Sequence, residues 1–331
     1  MDAQHHNTVK IKYSIKNSFY RKTNKMKNLA LLFFFVVAVN AAFGQEIIPL
    51  WEKGKMPNSK GMKLKKIEDR ERITQVDAPS MYAFFTSKEE NTGAAVLIFP
   101  PGGYQKLTYN IAGFQLAKWF NTFGVNAFVV MYRLPTSPDL VNPAFGPIMD
   151  GQRAIKIIRN NASQWGIDAA KIGVMGASAG GALTANLATI ATDYTQIKDD
   201  LDAVSIQPNF QIVISGAISM TQNANKGSYE ALLGKNPDSK NEQLFSGELN
   251  VTAITPPAFV ICAADDHVVN PLNSIQYYQA LLKAKVKAAL HIFPQGDHAI
   301  ALRNNPGSTQ LWPVLCEAWL TEMGFLTKAQ K

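Results

Sequence analysis

A serine between two glycines has the clearest potential for chemistry in this chain. Residues 172–183 read IGVMGASAGGAL, which places Ser178 in a G-x-S-x-G pattern between an apolar run and a helix-like stretch. A serine in a sharp strand-to-helix turn is crowded by the residues two positions away, and glycines at 176 and 180 relieve that crowding. The segment predicts a serine nucleophile at the head of a helix, where the N–H of Ala179 faces any oxyanion.

The hydroxyl of Ser178 needs a general base, because serine is a weak nucleophile at neutral pH. His298 ends the segment Pro294–His298, which directly follows an apolar run that reads as the last strand. His291 lies inside that run, where we expect a structural histidine. We therefore favour His298 as the base over His267, which we expect on the surface or in a pocket wall.

A carboxylate is then needed to fix the tautomer of the base. Asp265 and Asp266 are adjacent in the sequence AADDHVV, which follows another apolar run. Either residue completes the chain order Ser…Asp…His. The residue pattern alone leaves both open, and the aspartate without a catalytic role would be a helix N-cap or a solvated turn residue.

The last requirement is a second backbone donor to the oxyanion. The sequence FPPGGY at residues 99–104 follows the first strong apolar run. Glycine lets a backbone N–H turn toward a ligand without interference from a Cβ atom. We predict Gly103 as this donor, with Gly102 and Tyr104 beside it.

The segments that must position these residues alternate in character along the chain. Short apolar runs, rich in β-branched residues, predict strands at Ala94–Phe99, Asn126–Tyr132, Lys171–Met175, Phe210–Ser215, Ala258–Ala263 and Ala288–Phe293. Their near-continuous apolarity is typical of strands covered on both faces of a parallel sheet.

Stretches with helical spacing lie between these runs. They cover Ile111–Phe123, Ile148–Trp165, Ala179–Ala191, Asn270–Lys283 and Gln310–Met323. The alternation predicts the α/β class, with a mostly parallel, doubly wound sheet flanked by helices, in one domain over residues 45–331. Residues 45–72 read as an irregular lead-in, and the polar segment 220–257 as a small helical cap or a loop near the site.

The N-terminus has the order of a secretory signal peptide at residues 26–44. Lys25 and Lys27 precede an apolar run, and small residues follow it before Gln45. The run is shorter than the roughly 20 residues that span a bilayer, so we expect no stable membrane anchor. Residues 1–25, which include His5 and His6, read as an extension upstream of the true start. We expect export to the periplasm or the exterior.

Composition excludes several classes of protein. The hydrophobic fraction of 47% fits a packed globular chain, and two cysteines are too few for a disulfide framework or an all-cysteine metal site. The net charge of +8 would suggest a nucleic-acid partner. Seven of the basic residues lie in residues 1–44 with a single acid, so the remaining chain has a net charge near +2. Nucleic acid is therefore not expected as a partner.

Together these segments resemble the α/β-hydrolase superfamily and, within it, the secreted carbohydrate esterases of the acetylxylan-esterase type. The resemblance covers nearly all of residues 47–326. FPPGGY at 99–104, GASAGG at 176–181, ADDHVV at 264–269 and GDH at 296–298 carry it. In that family two residues and then a valine follow the acid, so the resemblance selects Asp266 over Asp265.

The sequence departs from that family's pattern at three points. Pro101 stands where glycine is usual, Asn270 replaces a proline, and Asp297-His298-Ala299 replaces Gly-His-Gly. All three triad residues are retained. The resemblance implies an α/β-hydrolase fold and hydrolysis of acyl esters, with acylated carbohydrate or a small ester as substrate and with no metal or organic cofactor.

Other functions stay open on the same residues. A serine peptidase of the prolyl-oligopeptidase type, or a feruloyl or lipid esterase, would use the same triad, because the pocket selects the substrate. A carbohydrate-binding protein without catalysis is an alternative of another class, and its sign would be a lost triad residue. Tyr104, Tyr109, Trp119 and the 220–257 segment are candidates for the pocket wall, although aromatic residues near a sheet more often belong to the core.

Overall fold

The computed structural model of the protein describes residues 46–326. The predicted upstream extension at 1–25 and the predicted signal peptide at 26–44 lie outside the described residues. Within the described range, no helix combines the length and the apolarity that a membrane crossing requires.

The strands of the described range form a large and a small sheet. In chain order the strands are β1 Ile47–Pro49, β2 Ile67–Asp69, β3 Arg72–Gln75, β4 Ser80–Phe84, β5 Ala95–Phe99, β6 Leu107–Thr108, β7 Asn126–Met131, β8 Ile172–Ala177, β9 Phe210–Ile214, β10 Ala258–Ala263 and β11 Ala288–Phe293. The large sheet has the order β1-β4-β7-β5-β8-β9-β10-β11, and the small one has the order β2-β3-β6. Pairing is parallel from β7 through β11 and antiparallel at β1–β4 and β4–β7.

Helices connect the parallel strands. They are α1 Gln115–Asn121, α2 Phe145–Asn160, α3 Ala179–Thr189, α4 Lys226–Leu233, α5 Ser239–Leu244, α6 Leu272–Lys283 and α7 Trp312–Glu322. A π-helical turn at Asn110–Phe114 leads into α1, and 3₁₀ turns lie at Asp200–Ala203, Gly247–Leu249 and Gly307–Leu311. The segment 220–257 between β9 and β10 contains α4 and α5.

The predicted mostly parallel sheet with flanking helices is confirmed. The predicted apolar runs correspond to β5 and β7 through β11, and every residue of β5, β7, β9 and β10 is buried. Because parallel strands in such a sheet are covered on both faces, a continuous apolar run is the signal that they leave in the sequence.

The expectation of an irregular lead-in at 45–72 is wrong in part, because β1, β2 and the start of β3 lie there. These strands have three or four residues and expose many of them, so they carry no continuous apolar run. Strand β4, which adds the antiparallel edge, lies between this segment and the first predicted strand and was not predicted either. Short, half-exposed strands depend on their partner strands more than on their own sequence.

Helix α2 carries buried charges that hold neighbouring segments in place. The carboxylate of Asp150 is fully buried and accepts hydrogen bonds from Trp51 Nε1 at 2.8 Å and from the Arg133 guanidinium. Lys156, also buried, pairs with Asp193 at 2.6 Å. Removing one partner of such a pair would leave a buried charge uncompensated, which makes these contacts specific anchors.

The parallel order brings five loops to one edge of the sheet. Strands β5, β8, β9, β10 and β11 are successive neighbours, and all are parallel. Their carboxyl ends therefore meet along the same edge, where open α/β sheets bind ligands. The predicted site residues all follow the ends of these strands.

Candidate active site

Ser178 stands in a strained turn between β8 and α3. Its φ is +55° and its ψ is −123°, a region that residues other than glycine rarely adopt. A Cβ atom on Gly176 would lie 2.1 Å from the Gly180 carbonyl oxygen, and one on Gly180 would lie 2.0 Å from the carbonyl oxygen of Phe99. The turn is therefore possible only with glycine at both positions.

Two hydrogen bonds join the three predicted triad residues. His298 Nε2 lies 2.8 Å from Ser178 Oγ, and His298 Nδ1 lies 2.8 Å from Asp266 Oδ2. The structure thus brings together side chains that are 120 and 32 positions apart in the sequence. A serine, an imidazole and a carboxylate in this order can activate the hydroxyl by passing its proton to the imidazole.

The carboxylate of Asp266 is held in its ionised form. Its Oδ1 atom accepts hydrogen bonds from the backbone N–H groups of Val268 and Val269, at 2.9 and 2.8 Å. Burial alone would raise the pKa of Asp266, but the hydrogen bonds from His298 and from these N–H groups lower it below the ordinary value. An ionised carboxylate can fix the His298 tautomer and stabilise an imidazolium.

The other candidate acids and bases lie apart from this relay. His291 stays within strand β11, where burial lowers its pKa, in line with the predicted structural histidine. His267 is exposed, and its backbone N–H donates to Asp297 Oδ1 at 3.1 Å. Of the two adjacent aspartates, Asp266 rather than Asp265 contacts His298.

Asp265 instead links the loop after β10, which carries Asp266, to the loop after β11, which carries His298. Its Oδ1 atom accepts the backbone N–H of Asp297 at 2.8 Å, one residue before His298. Asp297 in turn accepts the N–H of His267, one residue after Asp266. Each of these two loops is therefore bound to the other by a carboxylate that is adjacent in the sequence to Asp266 or His298. The hydrogen bonds from the backbone of His267 and His298 lower the pKa of Asp297, so this carboxylate also stays ionised.

The predicted oxyanion loop has an unusual backbone after β5. Gly102, Gly103 and Tyr104 have φ values of +144°, +63° and +59°. A Cβ atom on Gly102 would lie 2.1 Å from the Lys106 carbonyl oxygen, whereas one on Gly103 would meet nothing nearer than Ser228 Oγ at 4.0 Å. Gly102 is thus required by the turn. Gly103 lines the open space that Ser178 also borders.

The other predicted donor is the N–H of Ala179, in the first turn of α3. N–H groups in a first helical turn lack an intrahelical acceptor, so this one is free of the helical hydrogen-bond ladder. The structure places Ala179 directly after the nucleophile candidate and Gly103 on a neighbouring strand loop. The two predicted donor residues therefore lie on neighbouring loops at the same edge of the sheet.

A cavity of about 490 Å³ opens beside Ser178 and His298. Its wall is mostly apolar and includes Ile111, Leu116, Ile214, Val268, Ile300, Leu302 and Trp312. Polar groups are few, and they include Lys106, Thr108, Ser215, Asn225 and Ser228. Such a lining suits a ligand with an apolar part and a small number of oxygen atoms.

Several wall residues carry no signal in the sequence, and the three aromatic candidates follow the core alternative instead. Asn225 and Ser228 come from the 220–257 segment, as expected, but Tyr104, Tyr109 and Trp119 do not line the cavity. Tyr104 is buried, and Trp119 packs on Trp312 with ring centroids 5.3 Å apart. Ser215 and the wall after His298 carry no motif, so only the fold could reveal them.

No metal centre accompanies this arrangement in the described part of the chain. Among residues 46–326, no group of three or more histidine, cysteine, aspartate or glutamate side chains is placed to hold a metal ion.

Comparisons with known proteins give consistent results. A family model described as alpha/beta hydrolase fold matches residues 99–302, a range that includes Ser178, Asp266 and His298. Over 215 residues the chain is 34% identical to an acetylxylan esterase of Xylanibacter ruminicola, covering 63% of this chain and 42% of that protein. Over 228 residues it is 30% identical to endo-1,4-beta-xylanase B of Butyrivibrio fibrisolvens, covering 69% of this chain and 35% of that one. The chain spans less than half the length of either relative.

Two solved structures extend the similarity to nearly the whole described fold. The acetyl ester-xyloside bifunctional hydrolase from Caldicellulosiruptor lactoaceticus superposes with a TM-score of 0.74 at 30% identity, covering 86% of this chain and 98% of that one. The carboxylesterase Cest-2923 from Lactobacillus plantarum gives a TM-score of 0.64 at 25% identity, covering 76% and 94%.

The contact between Asp265 and the base loop leads to a first prediction. Asp265→Ala removes the acceptor for the Asp297 N–H and loosens the loop that carries His298, so we expect about a fivefold lower kcat with little change in KM. Asp265→Asn keeps an acceptor oxygen and should remain near wild type. Initial rates on nitrophenyl acetate measure both variants. Equal losses in the two variants would show that the charge matters, not the hydrogen bond.

Proposed function

The chain belongs to the alpha/beta hydrolase family, and from that premise we propose that it is a serine esterase. In this proposal it removes acyl groups, chiefly acetyl, from plant polysaccharide such as xylan. Ser178 is the nucleophile, His298 the general base and Asp266 the acid of the triad, while the N–H groups of Gly103 and Ala179 form the oxyanion hole.

The observation that carries the proposal is the hydrogen-bonded relay beside a cavity. His298 Nε2 lies within hydrogen-bond distance of Ser178 Oγ, and both atoms border the same space of about 490 Å³. A nucleophile and its base within 2.6–3.2 Å of each other are the geometric signature of covalent catalysis. An ester carbonyl in the cavity can reach the hydroxyl.

The first step forms an acyl-enzyme. Ser178 Oγ attacks the ester carbonyl while its proton passes to His298 Nε2, and the carbonyl oxygen becomes an oxyanion held by the two backbone N–H groups. When the tetrahedral intermediate collapses, the bond to the sugar oxygen breaks. His298 returns the proton to that oxygen, and the alcohol leaves.

The second step restores the free enzyme. A water molecule gives a proton to His298 and attacks the acyl carbonyl, and the carboxylic acid leaves as Ser178 recovers its proton. Asp266 stays ionised throughout and stabilises the imidazolium in both steps. The apolar wall of the cavity lowers the local dielectric, which strengthens each of these electrostatic contacts.

The names of the similar proteins favour a carbohydrate ester as substrate. One relative is an acetylxylan esterase, another is a xylanase, and a similar structure is an acetyl ester-xyloside hydrolase. A second cavity of about 640 Å³ adds polar surface beside the site. It shares Asn225 and Val268 with the first cavity and is also lined by Asn223, His267 and Asn270. These amide groups already form hydrogen bonds within the protein, so they offer sugar hydroxyls their remaining donor and acceptor positions.

The proposal predicts a graded series of triad variants. Ser178→Ala and His298→Ala should each reduce kcat by about 10⁴-fold or more, because each removes a group that acts on the reacting atoms. Asp266→Asn should cost roughly tenfold less than either, because the general base itself remains. Steady-state kinetics on nitrophenyl acetate measure the series, with circular dichroism as the check that each variant folds.

Covalent labelling separates this enzyme from a binding protein without catalysis. A fluorophosphonate should label the wild type at Ser178, which a tryptic peptide identifies by mass, and should not label Ser178→Ala. An unlabelled wild type, or label on another residue, would argue against the triad.

The substrate class is tested with a panel of four substrates. Acetylated xylan, methyl ferulate, a short-chain nitrophenyl ester and a proline amide represent the carbohydrate, feruloyl, general esterase and peptidase alternatives. We expect the highest kcat/KM on acetylated xylan, turnover of the nitrophenyl ester and none of the amide. Preference for ferulate or cleavage of the amide would assign the scaffold to a different reaction.

We also propose that the protein is exported after removal of residues 1–44. The order of charged, apolar and small residues before Gln45 supports this. Expression in a Gram-negative host should yield periplasmic or extracellular protein whose N-terminal sequence begins at Gln45. Cytoplasmic protein that retains residues 26–44 would contradict the proposal.

A further inference from the structure

Ser215 lines the active-site cavity and has a buried hydroxyl that the triad does not use. Ser215 is 4% exposed, and its Oγ atom has no hydrogen-bond partner among the residues that the structure describes. Buried polar groups in proteins are nearly always hydrogen bonded, because an unsatisfied one lowers the stability of the folded state. A hydroxyl left in this condition beside a reactive serine requires an explanation.

The backbone at Ser215 is strained as well. Its φ is +43°, a conformation that favours glycine. The chain nevertheless has serine at this position and glycine one position later, at Gly216. The conformation is fixed from both sides. The Ser215 N–H donates to the Ile261 carbonyl oxygen on β10 at 2.8 Å, and the Ile214 carbonyl oxygen accepts the Ser178 N–H at 3.0 Å. Strain of this kind is typically retained at functional sites.

The position of Ser215 points its role toward the substrate. It follows β9, which lies between the strand that precedes Ser178 and the strand that precedes Asp266. It lines the same cavity as Ser178 and His298, but it bonds to neither of them. Ile214, Leu302 and Trp312 form apolar wall near it in the same cavity, and they offer no polar side chain that accepts a hydrogen bond there.

We propose that Ser215 is a substrate-binding residue: its buried side chain rotates about the Cα–Cβ bond toward the cavity, and its hydroxyl then forms a hydrogen bond with an oxygen atom of the bound ester. The inference rests on the proposed function, which makes an acylated carbohydrate the occupant of the cavity. The partner is a neutral oxygen of either the ester group or the saccharide. The contact helps to place the carbonyl at Ser178, so the unsatisfied hydroxyl of the free protein is satisfied in the complex.

The variant Ser215→Ala tests this proposal through two measurements, thermal stability and catalysis. Removing an unsatisfied buried hydroxyl should leave Tm unchanged or raise it, since alanine accepts the same backbone strain as serine. The same change should lower kcat/KM about threefold to tenfold, the effect of one lost neutral hydrogen bond. Ser215→Gly also relieves the positive φ, and it should show the same kinetic loss with a Tm at least as high.

Ser137→Ala is the matched control. Its Oγ atom is also buried without a hydrogen-bond partner among the described residues, but Ser137 does not line the cavity. It should reproduce the effect on Tm and leave kcat/KM unchanged. The comparison separates loss of an unsatisfied hydroxyl from loss of a substrate contact.

Two substrates identify the partner oxygen. Nitrophenyl acetate has the ester group without a sugar, whereas acetylated xylobiose has both. A kinetic loss on both substrates assigns the contact to the ester group, and a loss on acetylated xylobiose alone assigns it to the saccharide. Calorimetric titration of acetylated xylobiose into Ser178→Ala, with and without Ser215→Ala, measures the same contact without turnover.

The outcomes that would overturn the inference differ from those that would overturn the function. If wild type hydrolyses esters and Ser215→Ala stays within twofold of it on both substrates, this inference alone fails. It also fails if Ser215→Ala and Ser215→Gly both lower Tm, because the hydroxyl would then have a partner within the protein. A wild type that neither hydrolyses esters nor reacts with fluorophosphonate would remove the proposed function, and this inference with it.

Discussion

The backbone of Ser178 is the constraint on which the rest of the site depends. Its positive φ turns the chain sharply from β8 into α3 and leaves the hydroxyl facing the cavity. The turn is possible because Gly176 packs against the Gly180 carbonyl, and Gly180 packs against the Phe99 carbonyl at the end of β5. The contact of Gly180 with Phe99 also holds the turn at Ser178 against the loop that carries Gly103. A methyl group at Gly180 would therefore push these two loops apart, whereas one at Gly176 would distort the turn itself.

Parallel strand order turns distant sequence positions into neighbours. Gly103, Ser178, Ser215, Asp266 and His298 follow β5, β8, β9, β10 and β11, which are successive strands of one sheet. Because the strands are buried and share a direction, their carboxyl ends are fixed relative to one another before any loop is placed. The loops then need only short-range contacts to complete the geometry. The reciprocal hydrogen bonds between the loop that carries Asp266 and the loop that carries His298 are contacts of this kind.

The parts of the site that the sequence could predict are those with a local signal. Ser178 lies in a glycine pattern directly after an apolar run, and His298 also follows such a run. For both residues the predicted strand placed the side chain at the edge of the sheet where the site lies. Asp266 and Asp265 could not be separated by pattern, because both follow β10 and the difference lies in which carboxylate faces the imidazole. Ser215 has no local signal, since a serine that ends an apolar run is common. The early strands of the chain were missed because they are short and partly exposed, and only their partners define them.

Backbone strain also occurs where the carboxyl edge of the sheet meets the cavity. Tyr104, Ser178, Ser215 and Asp297 all have positive φ values, and they follow β5, β8, β9 and β11. Conformations of this kind cost roughly 1–3 kcal/mol each and persist only where the surrounding structure over-determines them. The buried parallel strands are the rigid surroundings that hold these conformations. A core of this size tolerates several strained residues at its edge. Of these four residues, Ser178 and Ser215 line the cavity, so the rigid surroundings that impose their strained backbones also fix the positions of both residues at the cavity before a ligand binds.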